Sequence, residues 1–168
     1  MSMNYYYIED FEDREGYEKF IDHMLSYSDY FSFIYFRYRE NERMKKTTRE
    51  IHDALAKFKV KSKFTHEWPG TISFDDRHFY KIVLYRSDPA AKEILCRFTH
   101  LFDWDYPMAP MDMAFYKDGM CVFSVTAHER DASLYTDDKE LVHTLEAMGV
   151  DLDDVGETEN VFMLSEIF

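Results

Sequence analysis

Glu93, Cys96 and His100 come closest in this chain to a catalytic set. On a helix Cys96 and His100 are i, i+4 neighbours and Glu93 lies one turn earlier, so a carboxylate, a thiol and an imidazole share one side. An imidazole beside a thiol draws off its proton, and the resulting thiolate is an effective nucleophile. The same spacing arises on any polar helix face that includes a cysteine, and no oxyanion donor is identifiable nearby. His128 and Glu129 form a second acid/base pair, at the expected end of a strand where the chain leaves its sheet. A small hydrolase or transferase built around His128, Glu129, His100 and Cys96 is therefore the alternative expectation.

Other chemistries are excluded by residue count and spacing. The glycines stand at 16, 70, 119, 149 and 156, which leaves no Walker loop, no GxGxxG turn and no GxSxG elbow. Asp151, Asp153, Asp154 and Gly156 begin like a calcium loop, but Val155 holds the fifth position and Phe162 the twelfth, where a bidentate Glu is required. The seven histidines include no HxxxH or HExxH pair. His66–Glu67 and His128–Glu129 are adjacent pairs, which on a strand point to opposite faces. Neither a metal nor a cofactor is expected.

Charge carries the leading expectation. Residues 36 to 66 hold ten Lys/Arg against four Asp/Glu, and all others hold ten against twenty-nine, so a +6 segment sits in a −19 background and the sum is −13. Residues 1 to 35 have eight acids to two bases, and residues 129 to 168 have twelve to two. Acidic fields steer basic partners and raise association rates about 10- to 10³-fold. Asp103, Trp104, Asp105 and Tyr106 place aromatics among acids, the composition of an interface anchor. The expected function is a non-catalytic, acidic protein-binding module or inhibitor that engages a basic protein partner. The chain is similar to immunity proteins in size and charge alone, with no motif in common. Tyr35, Phe36, Arg37, Tyr38, Arg39 and the Lys57 to Phe64 strand interleave cations with aromatics as single-strand nucleic-acid platforms do, which makes nucleic-acid binding through the basic segment 36–64 a second alternative. The net charge of −13 disfavours that second alternative.

The elements that must position these residues can be read from periodicity. Tyr17, Phe20, Ile21, Met24 and Leu25 predict an amphipathic helix over 14 to 28. Residues 31 to 39 read as a strand, and Met44, Thr48, Ile51, Leu55 and Phe58 as one helical stripe, with Thr47 and Glu50 at capping-box spacing and a start near 42 or 48. Residues 57 to 64 alternate, lysines on one side and Phe58, Val60, Ser62 and Phe64 on the other, as in a strand with one wet face. Trp68-Pro69-Gly70-Thr71 is a type II turn between strands, with further strands at 71 to 75 and 78 to 86. Ser87-Asp88-Pro89 starts a helix whose stripe runs to Phe102. Asp118-Gly119 joins a hairpin of residues 111 to 117 and 120 to 127. Asp137 with Glu140 caps a last helix that ends at Gly149.

Together these predict one α+β domain over residues 1–168, a single twisted, mainly antiparallel sheet with about four helices packed chiefly on one face and the other face in water. An acidic loop follows Val150, and the apolar stretch 161 to 168 is expected to dock on the domain as a short strand or turn, with exchange onto a partner chain as the alternative. No apolar run reaches the ~20 residues of a membrane span, the start lacks a signal-peptide pattern, and two cysteines are too few for a disulfide framework. A cytoplasmic protein without membrane contact is expected; its oligomeric state is left open.

Overall fold

The computed structural model describes residues 2 to 38, 44 to 74 and 78 to 168. In chain order the elements are β1 (Met3–Ile8), α1 (Arg14–Tyr27), β2 (Tyr30–Tyr38), α2 (Lys46–Leu55), β3 (Lys59–Phe64), β4 (Glu67–Trp68), β5 (Thr71–Ile72) and β6 (His78–Arg86). They continue with α3 (Lys92–Leu95), β7 (Met111–Lys117), β8 (Met120–Thr126), β9 (Asp131–Tyr135), α4 (Lys139–Ala147), β10 (Leu152–Thr158) and α5 (Leu164–Ile167). Eight strands form one antiparallel sheet in the order β10-β1-β9-β8-β7-β2-β6-β3, and β4 and β5 pair as a separate small hairpin. The class is α+β, as the sequence predicts.

Helices α1 to α4 pack on one face of the sheet because their apolar stripes match it. Asp13 caps α1 by accepting from the Gly16 N–H at 2.8 Å, and Tyr17, Phe20, Ile21, Met24 and Leu25 are all buried. Ile51 and Leu55 of α2, Ile94 and Leu95 of α3, and Leu141 and Leu145 of α4 join the same core, against Phe31, Phe33, Tyr85, Phe115, Phe123 and Leu134 of the strands. Burying each large side chain contributes roughly 1.5–3 kcal/mol before chain entropy is counted. Polar groups inside this layer are matched: Tyr17 Oη donates to the Leu95 carbonyl at 2.6 Å and accepts from Trp104 Nε1 at 2.8 Å.

The second face does not lie in water. Ile34, Ile82, Leu84, Met111, Ala114, Tyr116 and Cys121 point to it, and all are buried. The β4–β5 hairpin covers one part, laying Trp68 over Ile34, Tyr80, Ile82 and Met111. The C-terminal stretch covers another. Cys121 N donates to the Phe162 carbonyl at 2.9 Å, Leu164 N donates to the Gly119 carbonyl at 2.8 Å, and α5 sets Ile167 and Phe168 on the cluster of Leu84, Ala114, Tyr116 and Cys121. The tail docks on its own chain. Strands β2, β6, β7 and β8 are therefore apolar on both sides, a pattern that periodicity read as half-buried.

Four further expectations change. The helix from Pro89 does not reach Phe102, because Tyr17 Oη and Arg14 Nη2 take the Leu95 and Cys96 carbonyls at 2.6 and 2.9 Å, the acceptors a longer helix would need. Thr47 and Thr48 do not cap α2; their hydroxyls donate to the Met108 and Pro107 carbonyls and fasten the 103–110 loop. The acidic stretch after Val150 is the edge strand β10, paired with β1, and β1 and β9 are strands the sequence reading did not include. Val60 and Phe64 of β3 are 50% and 64% exposed, so this edge strand buries neither side. Arg39, position 42 and Asp75 lie outside the described residues.

Candidate functional site

The first candidate set comes apart in the fold. Cys96 ends α3 and is buried, and its thiol is pushed up to about 11, first by burial and then by the nearby Glu18 carboxylate. At pH 7 roughly one molecule in 10⁴ would carry the thiolate. His100 lies beyond the helix, where its Nδ1 faces the Phe11 carbonyl at 2.8 Å. No hydrogen bond joins Cys96 to His100 among the described residues. Glu93 shares a surface depression with Cys96, but His100 does not line it. The nucleophile arrangement is therefore absent, because it required a helix continuing through residue 100.

The 103–110 loop divides its residues between core and surface. Trp104 is fully buried, stacked on Phe33 at 4.8 Å and edge-on to Phe98 at 4.9 Å. It offers no area to a partner, and its expected role as an anchor is corrected to a core role. Asp103 is exposed and Asp105 and Tyr106 are half-buried. Asp105 and Tyr106 line a cleft of about 520 Å³ on the second face of the sheet, together with His128 from the turn after β8. Glu129 lies beside His128, 3.8 Å from its Nε2, and both are exposed. His128 thus meets Asp105 and Tyr106, and neither Cys96 nor His100 lines that cleft.

Sequence reasoning missed the group that builds the cleft. Asp112 in β7 is 3% exposed and adopts a left-handed backbone at φ 56°. It sits where two residues of β7 oppose one of β2, the register shift between Ser32 and Ile34. One carboxylate oxygen accepts from Trp68 Nε1 at 2.9 Å and the other from the Ala127 N–H at 2.9 Å. Burial pushes the Asp112 acid up, while those two donors and His128 pull it down. Asp105 is also raised by burial, against the Tyr106 N–H and His128. An aspartate near the start of an apolar strand looks like noise in the sequence, and only the bulge reveals its position.

The charge split has a clear geometry. The lysine strand β3 and the acidic strand β10 are the opposite edges of an eight-stranded sheet, and at ~4.8 Å per strand they lie about 34 Å apart. That exceeds the screening length of about 8 Å at physiological salt, so the two regions do not neutralise each other. At the β3 edge Lys59, Lys61 and Lys63 are exposed, and the Lys81 amine on β6 is lowered by burial and then by Lys59. Of the aromatics proposed to stack bases, Tyr35 is buried and bonded to Tyr85. At the other edge Asp151, Asp153, Asp154, Glu157 and Glu159 are exposed and enter no ion pair among the described residues. Beside them a groove of about 530 Å³ runs between the β1–α1 turn and the turn before β10. It is lined by Glu9, Asp10, Glu12, Asp13, Glu15 and Asp151, with Lys19 as its one cation among the described residues. Lys19 is paired to Glu15 at 3.0 Å.

No family model, no curated protein and no solved structure matches this chain. Function therefore rests on the geometry alone. Among the described residues no three His, Cys, Asp or Glu side chains converge as a metal site, and no helix is long and apolar enough to cross a membrane.

Proposed function

We propose that this protein is a non-catalytic binding module or inhibitor whose acidic edge docks a basic protein partner. The observation that carries the reading is the row of unpaired, exposed carboxylates on β10, continuous with the acidic groove and held at the far edge of the sheet from the lysines. A carboxylate without an internal cation keeps its field for a partner, and a field of one sign over an edge and a groove steers encounter and fixes orientation. An exposed strand edge adds unpaired backbone donors and acceptors that a partner strand can use. Both cysteines are free and buried, in keeping with the reducing cytoplasm, where the same reading places the protein. The scattering of Cys96, His100 and His128 supports the non-catalytic side of this proposal.

The test is retention from extract on the immobilised protein, with a rising salt gradient. A specific partner should be basic, elute as salt rises, and be lost by a variant combining Asp151→Asn, Asp153→Asn, Asp154→Asn and Glu157→Gln. A Lys59→Gln, Lys61→Gln, Lys63→Gln variant should retain it. An acidic partner, salt-independent retention, or nucleic acid held by the lysine edge would each overturn the reading.

A further inference from the structure

The sheet ends in two edges of opposite charge, and each edge fits the other. β10 and β3 are its terminal strands, and every neighbouring pair between them is antiparallel. With eight strands the two terminal ones run in opposite directions. A second copy set beside the first across the sheet therefore brings its β10 antiparallel to the first copy's β3, with the helices of both on one side. An odd number of strands would have made that junction parallel.

The side chains agree with the backbone. Lys63 lies opposite Ile82 of the second-face cluster and Lys59 opposite Tyr85 of the helix-side core, so the two lysines leave β3 on different faces. Leu152 packs in the helix-side core opposite Ile8, so Asp153 beside it points to the second face. Glu157 lies opposite Asn4, which alternation puts on the helix side with Tyr6 and Ile8. Each edge strand also holds one extra residue against its inner neighbour, Val60 in β3 and Val155 in β10. Setting Lys63 opposite Asp153 then leads, past one extra residue on each strand, to Lys59 opposite Glu157, and both pairs share a face as opposed residues must. All four side chains are exposed and enter no ion pair among the described residues. At the β10 bulge the Gly156 N–H is already taken by Asp154 Oδ1 at 2.9 Å, whereas among the described residues no hydrogen bond beyond the ladder to β6 occupies the backbone of residues 59 to 63.

We propose, on the reading of β10 as a docking edge, that this chain associates head to tail, the β3 edge of one copy adding as a strand to the β10 edge of the next through Lys63–Asp153 and Lys59–Glu157. The contact joins two different surfaces, so it leaves one free edge of each kind for further copies. Repulsion between molecules of net charge −13 keeps it weak. A second copy thereby competes with the basic partner for the same edge.

Sedimentation velocity of the full chain from about 10 μM to about 1 mM reads the average mass across weak affinities. The parent should grow in mass with concentration. Lys59→Glu with Lys63→Glu, and separately Asp153→Lys with Glu157→Lys, should each weaken association about fourfold or more, because attraction at two pairs becomes repulsion. The second variant has the lower net negative charge, so general repulsion alone would move it the other way. Mixing the two variants should restore growth, since each reversed edge then meets a complementary one, and that recovery also shows that both are folded. A parent that stays monomeric at the highest concentration, variants that associate as the parent does, or a mixture no larger than its components would each overturn the proposal. A basic partner retained from extract by a chain that stays monomeric would leave the acidic docking edge standing and overturn self-association; head-to-tail growth with no retained partner would do the reverse.

Discussion

Asp112 illustrates how much can depend on one residue. Its left-handed backbone is one that Asp and Asn adopt more readily than other side chains apart from glycine, and both its oxygens are committed to donors on separate elements. Asp112→Ala removes both acceptors, leaves two donors unpaired and puts alanine at φ 56°. It should cost about 3–5 kcal/mol, summing the unsatisfied donors and the backbone penalty. Asp112→Asn tolerates the backbone and keeps one acceptor, so it should cost less. Urea unfolding followed by circular dichroism measures both, and an alanine variant as stable as the parent would show that the two hydrogen bonds contribute nothing. No sequence signal pointed here, because the role depends on a strand bulge. By contrast Asp118-Gly119 was legible: the turn chemistry is local, and the hairpin β7–β8 runs as the dipeptide predicts.

At the scale of elements, the C-terminal stretch acts as a cover. Phe162, Leu164, Ile167 and Phe168 are each half-buried against the second face, and at about half the value of full burial they contribute roughly 3–6 kcal/mol together. Deleting residues 161 to 168 should lower the melting midpoint by about 6–24 °C, at roughly 2–4 °C per kcal/mol for a domain of this size. Unchanged melting of the truncated chain would mean that the cover is loose. That an apolar end needs a site was readable from composition; where it docks was not, because the site is assembled from β6, β7 and β8. The helices α1 and α4 were legible from periodicity for the same local reason that the hairpin was. The helix expected from Pro89 to Phe102 was not, since tertiary donors from α1 end it at Leu95. The candidate thiol site failed with it, whereas the acidic and basic regions could be counted in the sequence but placed only by strand order.

For the whole molecule, charge sets both stability and encounter. Asp105, Asp112 and Asp131 have acids raised above their ordinary 3.8 by burial, so the folded state binds their protons more tightly than the unfolded chain does. The stability they contribute is present near and below pH 3.8 and is lost as pH rises through their folded values. Self-repulsion at a net charge of −13 weakens in the same direction as carboxylates are protonated. Asp88 is lowered, chiefly by the Ala90 N–H, and opposes this trend only as pH falls below 3.8. The melting midpoint should therefore fall as pH rises from about 3.8 through the folded values of these three acids, and a midpoint that rises over that range would contradict the sign. The most direct test of the charge-polarised docking edge is the association rate of the retained basic partner, by stopped flow at low and physiological salt, for the parent and for the β10 variant that neutralises Asp151, Asp153, Asp154 and Glu157. The account predicts a rate that drops with salt for the parent and about tenfold or more at low salt on neutralising the edge. Equal rates for parent and variant, or a rate indifferent to salt, would contradict it.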